Sequence, residues 1–194
     1  MSFKIFVMLK FPPLNPHRFT ERVVVKKKGK DPRDTVFRMY DKKGNCLGKM
    51  EIRPESVENR LHFYSPNSEK YNSLRIRKLI SHKKRQGVGT SLINVAKVES
   101  FKKFCNGNIH VIASDVYDEK RPPQVFYKKV GFKFGKYEKE TEKMVDDYIK
   151  DNKPISRTLG ESFMYIEKNV DNFGKFAKCL QEAKKMFPDI FHWV

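Results

Sequence analysis

LRIRKLISHKKRQGVGTSL, residues Leu74 to Leu92, is the stretch whose reading decides the fold. Its first part sets Leu74 and Ile76, and after Arg77-Lys78 the apolar pair Leu79-Ile80, among basic residues, which is the pattern of a strand. Polar and basic residues follow from Ser81 to Gln86, then Gly87-Val88-Gly89, then an amphipathic helix. A strand that turns through two glycines into a helix leaves backbone N–H groups without intrahelical partners. It also points the positive end of the helix dipole at whatever sits beyond the turn. Glycine permits positive φ and lets a ligand come close to the backbone. The physical product is an anion seat, most often for phosphate.

The flanking sequence extends the pattern. Downstream, Val88, Leu92, Val95, Val98, Phe101 and Cys105 step by three or four, one face of a helix expected over Val88 to Phe104. Asn106-Gly107-Asn108 should end it, with Gly107 in the left-handed region. Ile109–Ala113 reads as a central strand, and Pro122-Pro123 as the start of a helix carrying Gln124–Val130. Gly131 closes that helix and Phe132–Tyr137 begins another strand. Glu138–Lys153 is expected to be a surface helix and Ser162–Glu167 the last strand. Asp171–Phe187 carries Phe173, Phe176, Leu180, Ala183 and Phe187 at helical spacing, with Asp171 or Asn172 as N-cap. Upstream, Thr35–Tyr40 and Cys46–Ile52 form a hairpin through a turn containing Gly44 and Asn45. Arg60–Tyr64 and Phe3–Leu9 read as further strands, and within the basic segment Asn15–Arg33 the run Val23-Val24-Val25 is compatible with one.

Two segments carry a family resemblance: Lys84-Arg85-Gln86-Gly87-Val88-Gly89-Thr90 after its strand, and Phe126-Tyr127-Lys128-Lys129-Val130-Gly131-Phe132 after the strand Ile109–Ser114. In this order they resemble the GNAT superfamily of acyl-CoA-dependent N-acyltransferases. The resemblance implies an α+β fold, with a mixed, mostly antiparallel sheet flanked by helices. Residues 1–168 would form this acyltransferase domain and 169–194 a helical extension packed on it. It also implies acetyl-CoA (CoA) as cofactor. Backbone N–H groups of Arg85, Gln86, Gly87, Val88, Gly89 and Thr90 would hold its pyrophosphate, with Leu79, Ile80, Lys84 and Lys120 also in contact. Tyr127 matches the family tyrosine that acts as general acid toward the leaving thiolate. Many relatives have Asn seven residues and Ala four residues before this tyrosine, where this chain has Lys120 and Pro123.

A general base is not singled out. No acid occurs between Glu69 and Glu99, where relatives often place a Glu on the strand before the loop. His82, His62, Asp115 and Asp118 are the candidates by type. No metal site, Ser/His/Asp set or paired-carboxylate motif stands out, since the histidines are scattered without i, i+4 pairing.

Composition bounds the rest. At 194 residues, 39 % apolar and 13 % aromatic, the chain can bury a full core. No apolar run is long enough to span a membrane, and Met1–Leu9 lacks the features of a signal peptide. Cys46, Cys105 and Cys179 are read as reduced thiols in a cytoplasmic protein. The net charge of +18 favours anionic partners: acyl-CoA phosphates, acidic substrates or nucleic acid. The expected reaction is acetyl transfer to an amine acceptor that is a small amine, a peptide or protein amine, or an aminoacyl-tRNA. For the last, Arg75, Arg77, Lys78, Lys83, Lys84 and Lys26–Lys28 would meet phosphates. The alternative is a basic nucleic-acid-binding module on the same fold without turnover.

Overall fold

The computed structural model describes residues 22–58, 70–83, 86–115, 122–155 and 158–166. The β-branched run Val23-Val24-Val25 with its lysines forms β1 (Val23–Lys28), the edge strand among the described residues, paired antiparallel with β2 (Thr35–Tyr40). A tight turn joins β2 to β3 (Cys46–Glu58): the Asp41 carboxylate accepts the backbone N–H groups of Lys43 at 2.9 Å and Asn45 at 2.8 Å. Antiparallel β4 (Lys70–Ser81) follows, and α1 (Val88–Lys102) returns the chain to β5 (Ile109–Ser114), parallel to β4. From β5 the chain passes through α2 (Pro123–Lys129), β6 (Lys133–Phe134) and α3 (Lys139–Asp151) to β7 (Glu161–Ile166). β7 enters between β5 and β6, antiparallel to both, and completes, among the described residues, a seven-stranded sheet ordered β1-β2-β3-β4-β5-β7-β6. This is the mixed, mostly antiparallel α+β sheet flanked by helices that the resemblance implied.

Strand alternation sorts the sheet into two faces. Met39, Met50, Ile52, Leu74, Ile76, Val111 and Met164 face inward and join Leu92, Ile93 and Ala96 of α1, and Tyr127 and Phe132 beside α2, in one core. Burying each large aliphatic side chain here contributes about 2 kcal/mol. Lys49, Glu51, Arg53, Arg75 and Arg77 alternate with these and lie on the outer face. The shift in apolar phase within β4 has a physical cause. Ile52 pairs with Ile76 and Glu51 with Lys78, so Arg77 is an extra residue, a β-bulge. Beyond it Leu79 lies opposite Met50, which returns an apolar side chain to the core side.

The bulge precedes a break in the sheet. The parallel ladder between β4 and β5 consists of Leu74↔Ile109, Arg75↔His110 and Ile76↔Val111, and then stops. β4 continues to Ser81 and β5 to Ser114 without pairing to each other, so a gap opens toward the C-terminal ends of both strands. A bulge increases twist and bends its strand, which fits the divergence at this point.

Several expectations need correction. On α1 the buried positions include Ile93, Ala96, Glu99 and Ser100, whereas Val98 and Phe101 are only half-buried. Two polar residues are tolerated because Lys26 Nζ sits 2.8 Å from the Glu99 carboxylate and Ser100 Oγ donates to the Asn108 carbonyl at 2.9 Å. Gly107 is left-handed as expected, at φ 84°, but Phe104 and Asn106 are left-handed before it, at φ 57° and 53°, and the helix ends already at Lys102. The strand expected over Phe132–Tyr137 shortens to Lys133–Phe134. The expected surface helix forms as α3, whose Glu142 and Asp146 bind Lys128 of α2 at 2.5 and 3.2 Å. The strands at Phe3–Leu9 and Arg60–Tyr64 and the helix at Asp171–Phe187 lie outside the described residues. No helix among the described residues is long and apolar enough to cross a membrane.

Candidate functional site

The turn before α1 has the properties of an anion seat. Gly87 is the N-cap at φ 70°, where a side chain would strain the backbone, and among the described residues no side chain caps the helix start. The first turn carries no acidic residue, and the first intrahelical bond runs from Ser91 N–H to the Gly87 carbonyl. The N–H groups of Val88, Gly89 and Thr90 therefore lie at the positive end of the dipole with no side-chain cap. Gln86 and Gly87 are exposed, Gly89 and Thr90 half-buried, and Val88 is anchored in the core. Lys84, Arg85 and Lys120 lie outside the described residues.

Gly89 has a different reason from Gly87. A Cβ there would stand 2.9 Å from Phe126 Cζ. The missing side chain thus admits the Phe126 ring of α2 against the start of α1, so tertiary contact joins the two motifs on one side of the sheet. Gly48 on β3 is comparable: a Cβ would meet the Ile80 carbonyl oxygen at 2.6 Å and Val88 Cγ1 at 2.7 Å. Its absence lets the last residues of β4 and the first turn of α1 close over β3. Leu79 and Ile80, half-buried, run along the open end of β4 between the bulge and the turn.

Tyr127 sits at the inner face of α2 with 6 % exposure, its ring edge-on to Phe126 at 5.3 Å and to Phe132 at 5.1 Å. Burial pushes its phenol well above the ordinary range, because the phenolate would lose its hydration. The group stays protonated throughout the neutral range and keeps an O–H to donate.

One residue at the turn escaped sequence reasoning. Arg22, just before β1, donates from Nη2 to the Gln86 carbonyl at 2.5 Å, which places a guanidinium beside the uncapped helix start. Sixty-four positions separate the two residues, and no motif links them. The candidate bases divide. Asp115 is buried, and its carboxylate accepts the N–H groups of Leu159 at 2.6 Å and Gly160 at 3.1 Å, a structural clasp between β5 and the approach to β7. His82 is exposed at the end of β4, and His62 and Asp118 lie outside the described residues.

Within the basic stripe read from the sequence, the two arginines of β4 are paired with carboxylates. Arg77 Nη1 lies 2.9 Å from Asp34, and Arg75 Nη1 lies 3.4 Å from Glu55. Arg53, beside them, binds Asp34 and Asp31 at 2.7 Å each. The Arg53 hydrogen bond, aided by Arg77, holds the Asp34 carboxyl below the usual carboxylate range despite its burial.

No family model matches the chain, and no curated protein matches it. Solved structures do. One is an acetyltransferase of the GNAT family from Staphylococcus aureus, 14 % identical, with 70 % of this chain covering 68 % of that one at a TM-score of 0.43. Another is a fungal glucosamine N-acetyltransferase region in a multi-domain β-N-acetylglucosaminidase, 17 % identical at a TM-score of 0.44, with 61 % of this chain covering 18 % of that protein. A third is the Bacillus subtilis N-acetyltransferase YlbP in complex with coenzyme A, 19 % identical at a TM-score of 0.37, with 68 % of this chain covering 66 % of that one.

Proposed function

We propose that this protein is an N-acyltransferase that moves an acetyl group from acetyl-CoA directly to a primary amine. The observation that carries the reading is the meeting of an unpaired strand end with an uncapped helix N-terminus. Past Ile76, the edge of β4 facing the gap offers backbone groups to an extended, amide-bearing chain such as the pantetheine arm. At the end of that edge the N–H groups of Val88, Gly89 and Thr90 would hold a pyrophosphate, with Arg22 adding positive charge. Leu79 and Ile80 would flank the arm, and Lys84, Arg85, Gln86 and Lys120 would add charge or donors around the phosphates. Tyr127 would donate its proton to the departing thiolate. The two helices meet where Phe126 touches Gly89, which supports placing that residue near the thioester. A reduced, cytoplasmic setting accompanies the reading, supported by free thiols at Cys46 and Cys105.

Calorimetric titration with acetyl-CoA and with CoA, at low and moderate salt, tests the proposal. Near-stoichiometric binding that survives moderate salt, and that Gly87→Glu abolishes, is the expected result. Binding that never appears would sink it. Given binding, Tyr127→Phe is expected to lower turnover by about 100-fold with little change in CoA affinity.

The alternative, a nucleic-acid-binding module without turnover, draws on one observation. Lys27, Lys28 and Lys30 at the edge strand are exposed in a chain of net charge +18. RNA binding that falls steeply with salt and ignores acetyl-CoA would favour it.

A further inference from the structure

The outer face of the sheet carries a concavity of about 650 Å³ that the acyltransferase reading does not use. Val36 of β2 lines it from the sheet, and residues of the loop from Gly29 to Asp34, between β1 and β2, line it from one side. That loop is fastened in place. The Gly29 N–H donates to the Asp34 carbonyl at 2.9 Å, and the Asp34 N–H donates to the Asp31 carbonyl at 2.9 Å. Gly29 permits the closure, because a Cβ there would collide with that of Asp34. Asp31 then anchors the loop to the sheet through Arg53, and Asp34 through Arg53 and Arg77.

Charge in this concavity is unbalanced. Lys28, Lys30, Arg38, Lys49, Arg53 and Arg77 line it. Among the described residues its carboxylates are those of Asp31, Asp34 and Glu51, which leaves an excess of three positive charges. Arg53 and Arg77 are taken up by the loop, and Glu51 lies 3.5 Å from Lys49 and 3.8 Å from Arg77. Lys28, Lys30 and Arg38 are exposed and have no carboxylate partner among the described residues. The register sharpens the imbalance. Arg38 of β2 stands directly opposite Lys49 of β3 on the same face, where like charges repel and destabilise a sheet. The flanking positions of that row are Val25 of β1 and Ile80 of β4, so the row supplies no carboxylate. An anion set over the pair removes the repulsion and takes donors from both side chains.

We propose that this concavity is a binding site for a phosphate-bearing ligand of two or more negative charges, held by Arg38 and Lys49 with Lys28 and Lys30 at its exposed edge. The site goes beyond the acyltransferase reading and does not depend on it, since no residue lining it belongs to the glycine turn or to α2. Phosphate suits the donors better than a single carboxylate does. The planar fork of Arg38 and the point charges of the lysines approach from different directions, and a phosphate has several oxygens to receive them. The concave wall strengthens the attraction by focusing the field of the unpaired cations. Because Lys28 and Lys30 are exposed, the phosphate can belong to a free polyphosphate or to the backbone of an RNA strand. The shared chemistry is the phosphate, and the experiment separates the two sources.

Sodium tripolyphosphate and a short single-stranded uridine RNA are titrated calorimetrically into the full chain at moderate salt. The titrations are repeated on Gly87→Glu, whose blocked helix turn leaves the concavity to be read alone. Arg38→Gln combined with Lys49→Gln removes the proposed contacts. Lys143→Gln combined with Lys150→Gln removes the same charge from exposed positions of α3, outside the concavity. The first pair should weaken binding at least about 10-fold, and the second should leave it within about two-fold. Tripolyphosphate binding that responds in this way identifies a free polyphosphate as the ligand. The same response from the RNA, with tripolyphosphate bound too weakly to measure, identifies a nucleic-acid backbone. Tripolyphosphate, where it binds, should also raise the urea midpoint of the wild type and leave that of the Arg38 and Lys49 variant unmoved. Equal weakening by the two pairs of substitutions would show a diffuse field and overturn the proposal. So would the absence of binding by either ligand, or binding that Gly87→Glu abolishes, which would assign the anion to the helix turn.

Discussion

The two faces of one sheet solve opposite problems with the same strands. On the inner face Met50, Ile52, Leu74 and Ile76 are buried in one apolar cluster, so dispersion and burial hold them. On the outer face their immediate chain neighbours are held by ion pairs: Arg53 and Arg77 tie Asp31 and Asp34 to β3 and β4, Arg75 pairs with Glu55, and Glu51 faces Lys49 and Arg77. The inner face needs shape and tolerates no gap. The outer face needs each buried charge to keep its partner, and it is where a histidine, a serine and a glutamate from three strands come together. The difference teaches that the positive charge of this chain, dense in sequence along β4, is not a free basic surface at Arg75 and Arg77.

Substitutions on each face break or sharpen that contrast, and urea unfolding midpoints at unchanged m-value read them out. Ile52→Ala on the inner face should cost about 4 kcal/mol, as transfer and cavity terms add for a fully buried side chain. A cost under about 1 kcal/mol would mean that this face is not packed as described.

Asp34→Asn on the outer face should cost about 3 kcal/mol by removing the buried one of the two carboxylates that Arg53 binds. Its pH dependence has a definite sign. A carboxyl depressed in the folded state stabilises above its unfolded pKa of about 3.9, and that stabilisation is lost as pH falls through the lower folded value. The gap between wild type and Asp34→Asn should therefore be constant near neutrality and shrink below about pH 4. A gap that widens on acidification would reverse the assignment.

Two glycines separate space from conformation. Gly48→Ala should cost about 2 kcal/mol, because its Cβ meets the Ile80 backbone oxygen and Val88 and neither can yield freely. Gly87→Ala should cost about 1 kcal/mol from the left-handed backbone alone, since nothing lies within 4 Å of its Cβ. Gly87→Asn should recover part of that loss; equal losses for Ala and Asn would argue against a φ-based cause. Arg75→Ala, which removes a partly exposed pair, should change the midpoint by less than about 0.5 kcal/mol, and a larger effect would show that Glu55 depends on it.

Much of this molecule was legible before any coordinates. Periodicity places β4, α1, β5, α2 and α3 within a few residues, because an apolar stripe and a strand alternation are local signals that the fold only has to accept. The glycine turn was legible for Gly87, whose positive φ is a property of the residue itself. It was misleading for Gly89, whose absent side chain answers to Phe126 across the fold. The buried face of α1 was misjudged at Glu99 and Ser100 because hydropathy marks both as surface residues. Only Lys26 and the Asn108 carbonyl make their burial tolerable.

Sequence alone determined the order of the elements, the uncapped glycine turn and the motif pair. Each follows from backbone sterics and side-chain period within a short window. Tertiary structure alone decided the gap between β4 and β5, since a bulge is a mismatch between two strands and has no meaning in one. It likewise brought Arg22 to Gln86 and set His110 between Ser73 and Glu55. Those meetings depend on strand register, which is fixed by how distant apolar faces share a core and is carried by no single stretch of chain.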